Sequence, residues 1–147
     1  MYGGRPNEGR ASLSEAGLGE AEGKLELTVG TTTLDKEDLV DVGFVKIDVE
    51  GYELAVLRGA RGLIERERPV LMVEIEQRHL DMPMSEVFRY VEGMGYEGWF
   101  YLRGVMRRLE DFDPDEHQRG LRDDMRRPRD YVNNFIFTPR PGVDVGQ

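Results

Sequence analysis

The sequence predicts an α/β fold in which parallel strands are followed by antiparallel ones. Two apolar runs, 44–49 and 70–75, have the length and composition of buried strands. Between them Leu54, Leu57 and Ile64 recur at helical spacing, so we expect a parallel crossover. In the last third of the chain, strand-like segments follow one another around turn residues, which indicates added antiparallel strands.

The remaining elements follow from local patterns along the chain. A short strand is expected at 24–29, where apolar and charged residues alternate, and Thr33 or Asp35 is expected to cap a helical turn at 34–39. Pro69 must lie beyond the end of the first helix. The later elements are a helix at 84–94, a hairpin of 96–102 and 105–109 turning at Gly104, a polar helical stretch at 115–125 and a last strand at 131–138.

Composition narrows the classes of function. The chain has 147 residues, enough for one domain with a core, and a net charge of −9, which disfavours binding to nucleic acid. No apolar run approaches the ~20 residues of a membrane span. No secretory signal is visible at the start, so we expect a cytoplasmic protein. The segment 1–23 is expected to be loosely ordered, and 140–147 to form a tail.

Charged side chains gather where the two parallel strands are expected to end. Lys46, Asp48 and Glu50 would share one strand face, and Glu74 ends the neighbouring strand. We expect the segment around residue 48 to be a central strand whose acidic tip opens into a cleft beside Glu74. Pairing of Lys46 with Asp48 or Glu74 would explain these charges without any function, and both interpretations stay open.

Other polar residues near these ends have two interpretations as well. Gly51 permits a turn with positive φ or the close approach of a ligand. His79 is placed to act as a general base, or is only a solvated loop residue, and His117 is a weaker candidate. Asn133 could bind a polar substrate or satisfy local backbone groups. The aromatic residues 99–101 are expected to lie in the core or at its rim.

The segments 46–53 (KIDVEGYE) and 56–60 (VLRGA) closely resemble the FkbM family of methyltransferases. Further similarity is found on both sides and in the expected order: 9–13 (GRASL) is similar to a family loop, 33–35 (TLD) to a family motif, 68–75 (RPVLMVEI) to the following strand and 133–137 (NNFIF) to the closing strand.

The resemblance implies a partial Rossmann-like methyltransferase sheet over 24–139, with 46–49 as its fourth strand and 70–75 as its fifth. It implies S-adenosylmethionine as cofactor and O-methylation of a hydroxyl on a sugar or secondary metabolite. Within this interpretation Asp48, Glu50 and His79 are the catalytic candidates, and Asp48 also contacts the cofactor. The substrate-binding candidates are Lys46, Gly51, Tyr52, Glu74 and Asn133.

One departure from the family pattern concerns the cofactor. No Gly-rich turn that follows a strand occurs before residue 40. We therefore expect the C-terminal portion of a methyltransferase, with impaired activity alone and either a missing N-terminal half or self-association. The alternatives are a non-catalytic subunit that pairs with another chain through its open sheet edge, and a metal site at Asp48, Glu50 and Glu74.

Overall fold

A computed structural model gives the fold of the protein and describes residues 10–13, 25–28, 30–119 and 130–142. The chain divides into two compact units, Met1–Thr33 and Leu34–Gln147. No helix in these described ranges is long and apolar enough to cross a membrane.

The first unit contains a two-stranded antiparallel sheet. Its strands are β1, Arg10–Leu13, and β2, Leu25–Thr28, with Arg10 opposite Thr28 and Leu13 opposite Leu25. Strand β2 matches the predicted one. Strand β1 lies in the segment that we expect to be loosely ordered and that is similar to a family loop. The rest of 1–23 lies outside the described residues.

In the second unit the described residues form a mixed five-stranded sheet and four helices. In chain order its elements are β3 (Phe44–Ile47), α1 (Glu53–Gly59), α2 (Arg61–Glu67), β4 (Val70–Glu74), α3 (Ser85–Gly93), β5 (Tyr96–Leu102), β6 (Val105–Arg108), α4 (Pro114–His117) and β7 (Asn134–Pro139). Short 3₁₀ turns lie at Leu34–Lys36, Gln77–His79 and Leu109–Asp111.

The strand order in this sheet is β3-β4-β7-β5-β6. Strands β3 and β4 are parallel, β7 is antiparallel to both of its neighbours, and β5 and β6 form the predicted hairpin with Gly104 at a φ of +87°. The predicted parallel-then-antiparallel sheet is therefore confirmed. The prediction that the strand before residue 48 is central is wrong, because β3 pairs only with β4 among the described strands and lies at the edge.

Two helical predictions differ from the structure. The expected single helix between β3 and β4 is interrupted at Ala60, whose φ of −115° and ψ of 7° leave the helical region. The polar stretch at 115–125 begins with only the short helix α4, and 120–129 lie outside the described residues.

Asp35 does not cap its own helical turn. Its carboxylate oxygens accept hydrogen bonds from the backbone N–H groups of Gly62 at 3.0 Å and Leu63 at 2.9 Å. These groups belong to the first turn of α2, where an N–H has no partner inside the helix. Asp35 therefore caps a helix through residues 27 and 28 positions further along the chain, and fastens the 3₁₀ turn to that helix.

All the deeply buried strand residues lie on one face of the sheet, since side chains alternate along each strand. This face packs against α1, α2 and α3 in a single core cluster. The fully buried strand residues are Leu71, Val73, Tyr96, Phe100, Phe135 and Phe137. Aromatic rings form the centre of this core, with Phe135 4.8 Å from both Phe88 and Phe112, centroid to centroid.

The opposite face of the sheet carries partly or fully exposed side chains. A row of directly paired residues crosses all five strands there: Lys46, Met72, Ile136, Trp99 and Arg108. Within the aromatic triplet, Phe100 is in the core, Trp99 is half-buried under the Arg108 guanidinium and Tyr101 is 60% exposed.

Arg68 joins the ends of α2 and α3. It ends α2 in the left-handed conformation and donates to the carbonyl oxygens of Met94 at 2.6 Å and Gly95 at 2.9 Å. Its guanidinium also lies over the Tyr96 ring. The Tyr96 hydroxyl donates to the Pro69 carbonyl, and burial raises the pKa of Tyr96 to about 12, so the phenol stays neutral at physiological pH.

Candidate functional site

The candidate site lies where the parallel strands β3 and β4 end. Ile47 is paired with Val73, so Asp48 and Glu74 leave the two strands at the same edge of the sheet. Glu50 does not continue the strand face as predicted, because β3 ends at Ile47 and the chain turns. Glu50 has a φ of +45° and Gly51 a φ of +102°, two consecutive residues in a conformation that non-glycine residues rarely adopt.

Asp48 is paired with Lys46. The Lys46 Nζ lies 3.0 Å from Asp48 Oδ2, and the two side chains are 50% and 42% exposed. An exposed pair of this kind stabilises a fold by only about 0–1 kcal/mol. The pairing thus accounts for both charges, yet leaves Asp48 accessible to solvent and to a ligand.

Glu74 interacts on the side of the sheet away from β3. Asn133, which is buried, donates its side-chain amide to Glu74 Oε1, and Asn134 donates to the Asn133 side chain at 2.9 Å. The described residues contain no group of three carboxylate or imidazole side chains that could hold a metal. Asp48, Glu50 and Glu74 therefore do not form the carboxylate cluster that the sequence suggested as a metal site.

Gly51 and His79 bring two turns together at this edge. A Cβ placed on Gly51 would overlap the His79 carbonyl oxygen and lie 3.3 Å from its carbonyl carbon. The close approach to Gly51 is made by the protein backbone itself. His79 is exposed in the turn that follows β4, and Tyr52, beside Gly51, is 62% exposed.

A buried carboxylate, Glu76, lies beside this turn; the sequence places it among the acidic residues that follow the second strand but does not predict its burial. Glu76 is only 5% exposed and accepts hydrogen bonds from Arg78 Nε at 2.8 Å and from the Tyr131 hydroxyl at 2.6 Å. The hydrogen bond to Glu76 raises the pKa of Arg78, and the charge of Glu50 acts in the same direction.

Gln118 was not identified from the sequence, although it connects three parts of the site. Its amide nitrogen donates to the carbonyl oxygens of Ile75 at 2.7 Å and Val132 at 2.9 Å. Its amide oxygen accepts from the backbone N–H of Gln77 at 2.9 Å. These contacts hold the end of β4, the start of β7 and the following 3₁₀ turn together. Only the tertiary structure reveals them, because the partners are distant in sequence.

His117 has a structural role in the core. It is 6% exposed, its ring stacks on Phe112 with centroids 5.3 Å apart, and its Nδ1 accepts from the backbone N–H of Asp113 at 3.0 Å. These contacts remove His117 from the set of candidate catalytic residues.

The comparison with known protein families finds a match over most of the first two thirds of the chain. The methyltransferase FkbM domain matches residues 3–97 of this chain. No curated protein matches the chain, and no solved structure does. The matched range contains the parallel pair β3 and β4 and both turns of the candidate site, and it ends within β5, before the similarity noted at 133–137. Together with the partial Rossmann-like sheet, a family match over more than half of the residues shows that this chain belongs to the FkbM methyltransferase family.

Proposed function

We propose that the chain takes part in the S-adenosylmethionine-dependent O-methylation of a hydroxyl on a sugar or secondary metabolite, and carries the residues on the acceptor side. The observation that carries this proposal is the contact between Gly51 and the backbone of His79. It brings Asp48, Glu50 and His79, on two different turns, to one edge of a sheet, where α/β proteins bind ligands.

The chemistry required of these residues is positioning and proton removal. S-adenosylmethionine would supply the methyl group, whereas the protein must orient the acceptor hydroxyl and accept its proton. Asp48, Glu50 and His79 are all exposed, so each can reach a hydroxyl at this edge. Lys46, Tyr52, Glu74 and Asn133 are the candidate substrate contacts, and Gly51 allows the turn that carries Glu50.

Substitution of the three candidates tests the proposal. In methyl-transfer assays with labelled S-adenosylmethionine at high concentration and a panel of hydroxylated acceptors, Asp48→Asn, Glu50→Gln and His79→Gln are compared with the unchanged chain. We expect the variant that lacks the general base to lose at least about 10²-fold in kcat.

The matched control is Asp111→Asn, which removes an exposed carboxylate from a distant 3₁₀ turn and should leave transfer unchanged. Full activity in all three site variants would contradict the proposed roles. Absence of transfer to every hydroxylated acceptor, with transfer to an amine or thiol instead, would contradict O-methylation.

The described residues fit the acceptor side of this reaction but do not form a cofactor cradle. They contain no Gly-rich turn between a strand and a helix, and Gly51 is already covered by the His79 carbonyl. Asp48, the candidate cofactor contact, is paired with Lys46. We therefore expect calorimetric titration of the chain with S-adenosylhomocysteine to give little heat, and a tight single-site isotherm would contradict this expectation.

The exposed edge of the sheet favours a second candidate function, a non-catalytic subunit that pairs with another chain. Five large apolar residues on β3 or in the segments that precede and follow it are exposed: Leu39, Val40, Phe44, Val49 and Tyr52. An unpaired strand beside such residues is a template for strand addition. Sedimentation distinguishes this candidate, since a clean monomer at micromolar concentration, alone and in extracts of its natural host, would count against it.

A further inference from the structure

Glu53 is a buried acidic residue to which the proposed chemistry gives no role. It is the first residue of α1 and only 1% exposed. Its Oε1 accepts a hydrogen bond from the backbone N–H of Gly51 at 2.8 Å. Its Oε2 is buried and has no hydrogen-bond partner among the described residues. A buried carboxylate with one unsatisfied oxygen destabilises a fold, so its presence needs a reason other than stability.

The backbone that Glu53 holds is strained. Glu50 and Gly51 both have positive φ, and the left-handed region costs a non-glycine residue free energy that the surrounding structure must offset. The Gly51 N–H belongs to the peptide unit that joins Glu50 to Gly51. A fixed acceptor for this N–H therefore limits how far the turn can relax. Gly51 also lies against the His79 carbonyl. Glu53 and His79 thus both contact the same residue.

We infer that Glu53 is a positioning residue, whose Oε1 fixes the 50–51 turn and thereby sets where Glu50 and His79 lie relative to each other. The side chain of Glu53 acts through the Gly51 N–H and touches no reacting group. The importance of the turn for methyl transfer rests on the proposed function. The hydrogen bond from the Gly51 N–H to Glu53 is independent of that function.

Two substitutions separate this role from a general effect on stability. Glu53→Ala removes the acceptor for the Gly51 N–H. Glu53→Gln keeps an oxygen for that bond, and the amide nitrogen replaces an oxygen that has no partner, so the conservative variant loses no hydrogen bond. Glu86→Ala serves as control, since it removes an exposed glutamate from the first turn of α3.

Amide hydrogen exchange of the ¹⁵N-labelled chain measures directly how well the Gly51 N–H is protected by its hydrogen bond. In Glu53→Ala we expect the Gly51 amide to exchange about tenfold faster, near the upper end of the change produced by the loss of one typical hydrogen bond. In Glu53→Gln and Glu86→Ala its rate should stay within about threefold of the unchanged chain. The sheet amides of Val73 and Phe135 report global stability and should not change in any variant.

Three outcomes would overturn the inference: no change at Gly51 in Glu53→Ala, equal acceleration in Glu53→Gln, or equal acceleration at Val73 and Phe135. The proposed function fails separately, when the unchanged chain methylates no hydroxyl acceptor. That result would leave the exchange data, and the role of Glu53 in the turn, intact.

Discussion

Replacement of Phe135 by alanine is expected to destabilise the second unit by about 3–5 kcal/mol, the range for a large aromatic residue removed from a core. Phe135 is fully buried, lies on the central strand β7, and packs tilted against Phe88 and edge-on against Phe112. Its loss leaves a cavity between strand and helix that neither neighbouring ring can fill without leaving its own contacts. Urea unfolding, followed by circular dichroism, measures the free energy of unfolding.

The matched control is Tyr101→Ala on the adjacent strand β5. Tyr101 is 60% exposed, so its truncation should change the free energy of unfolding by no more than about 0.5 kcal/mol. Equal losses in the two variants would show that the aromatic cluster is not the centre of the core.

Gly51→Ala is expected to destabilise the chain and to distort the candidate site at the same time. The φ of +102° alone costs an alanine about 1–2 kcal/mol. Overlap of the new Cβ with the His79 carbonyl should add about 1–3 kcal/mol, because the backbone must move to relieve it. Urea unfolding gives the sum, and the NMR resonances of His79 report the displacement.

Gly104→Ala separates the two contributions. Gly104 has a comparable φ of +87°, but a Cβ there would have its nearest neighbour, the Tyr101 hydroxyl, at 3.8 Å. This control therefore carries the conformational cost without the overlap. Equal destabilisation by the two substitutions, with unshifted His79 resonances, would contradict the close contact between the two turns.

Most of the strands and helices could be predicted because their signals are local. The alternating residues of β5 and the helical spacing in α3 each point one face at the core, and Gly104 marks the turn of the hairpin. The interruption at Ala60 was not predicted, because the apolar spacing continues through it and only the backbone angles change.

The residue types of the candidate site were predicted, but the ion-pair and hydrogen-bond partners of its carboxylates were not. Carboxylates at the ends of β3 and β4 follow from sequence order, since parallel strands end at the same edge. The partners of those carboxylates depend on tertiary contacts. Asp48 pairs with Lys46, and Glu74 accepts a hydrogen bond from Asn133. Glu76 accepts from Arg78 and Tyr131. The three carboxylates near this edge therefore each have their own partners.

Glu53 and Gln118 show what sequence patterns cannot reveal. Glu53 occupies a position where acidic residues are common, at the start of a helix, and nothing local marks it as buried. Gln118 bonds to backbone groups 41 and 43 positions before it and 14 positions after it. The edge position of β3 could not be predicted for the same reason, because the neighbours of a strand depend on how all the strands of the sheet pair.

The place of β7 in the sheet determines when this protein can fold during its synthesis. Among the described strands β7 is the last in chain order, yet it lies between β4 and β5 and joins them. While the ribosome is still adding residues before 134, the parallel pair and the hairpin have no shared hydrogen bonds through which to become one sheet. Non-local pairing of this kind slows folding and leaves unpaired strands exposed in the meantime. Until β7 emerges and inserts between them, the two half-sheets of the nascent chain are therefore open to pairing with strands of other proteins.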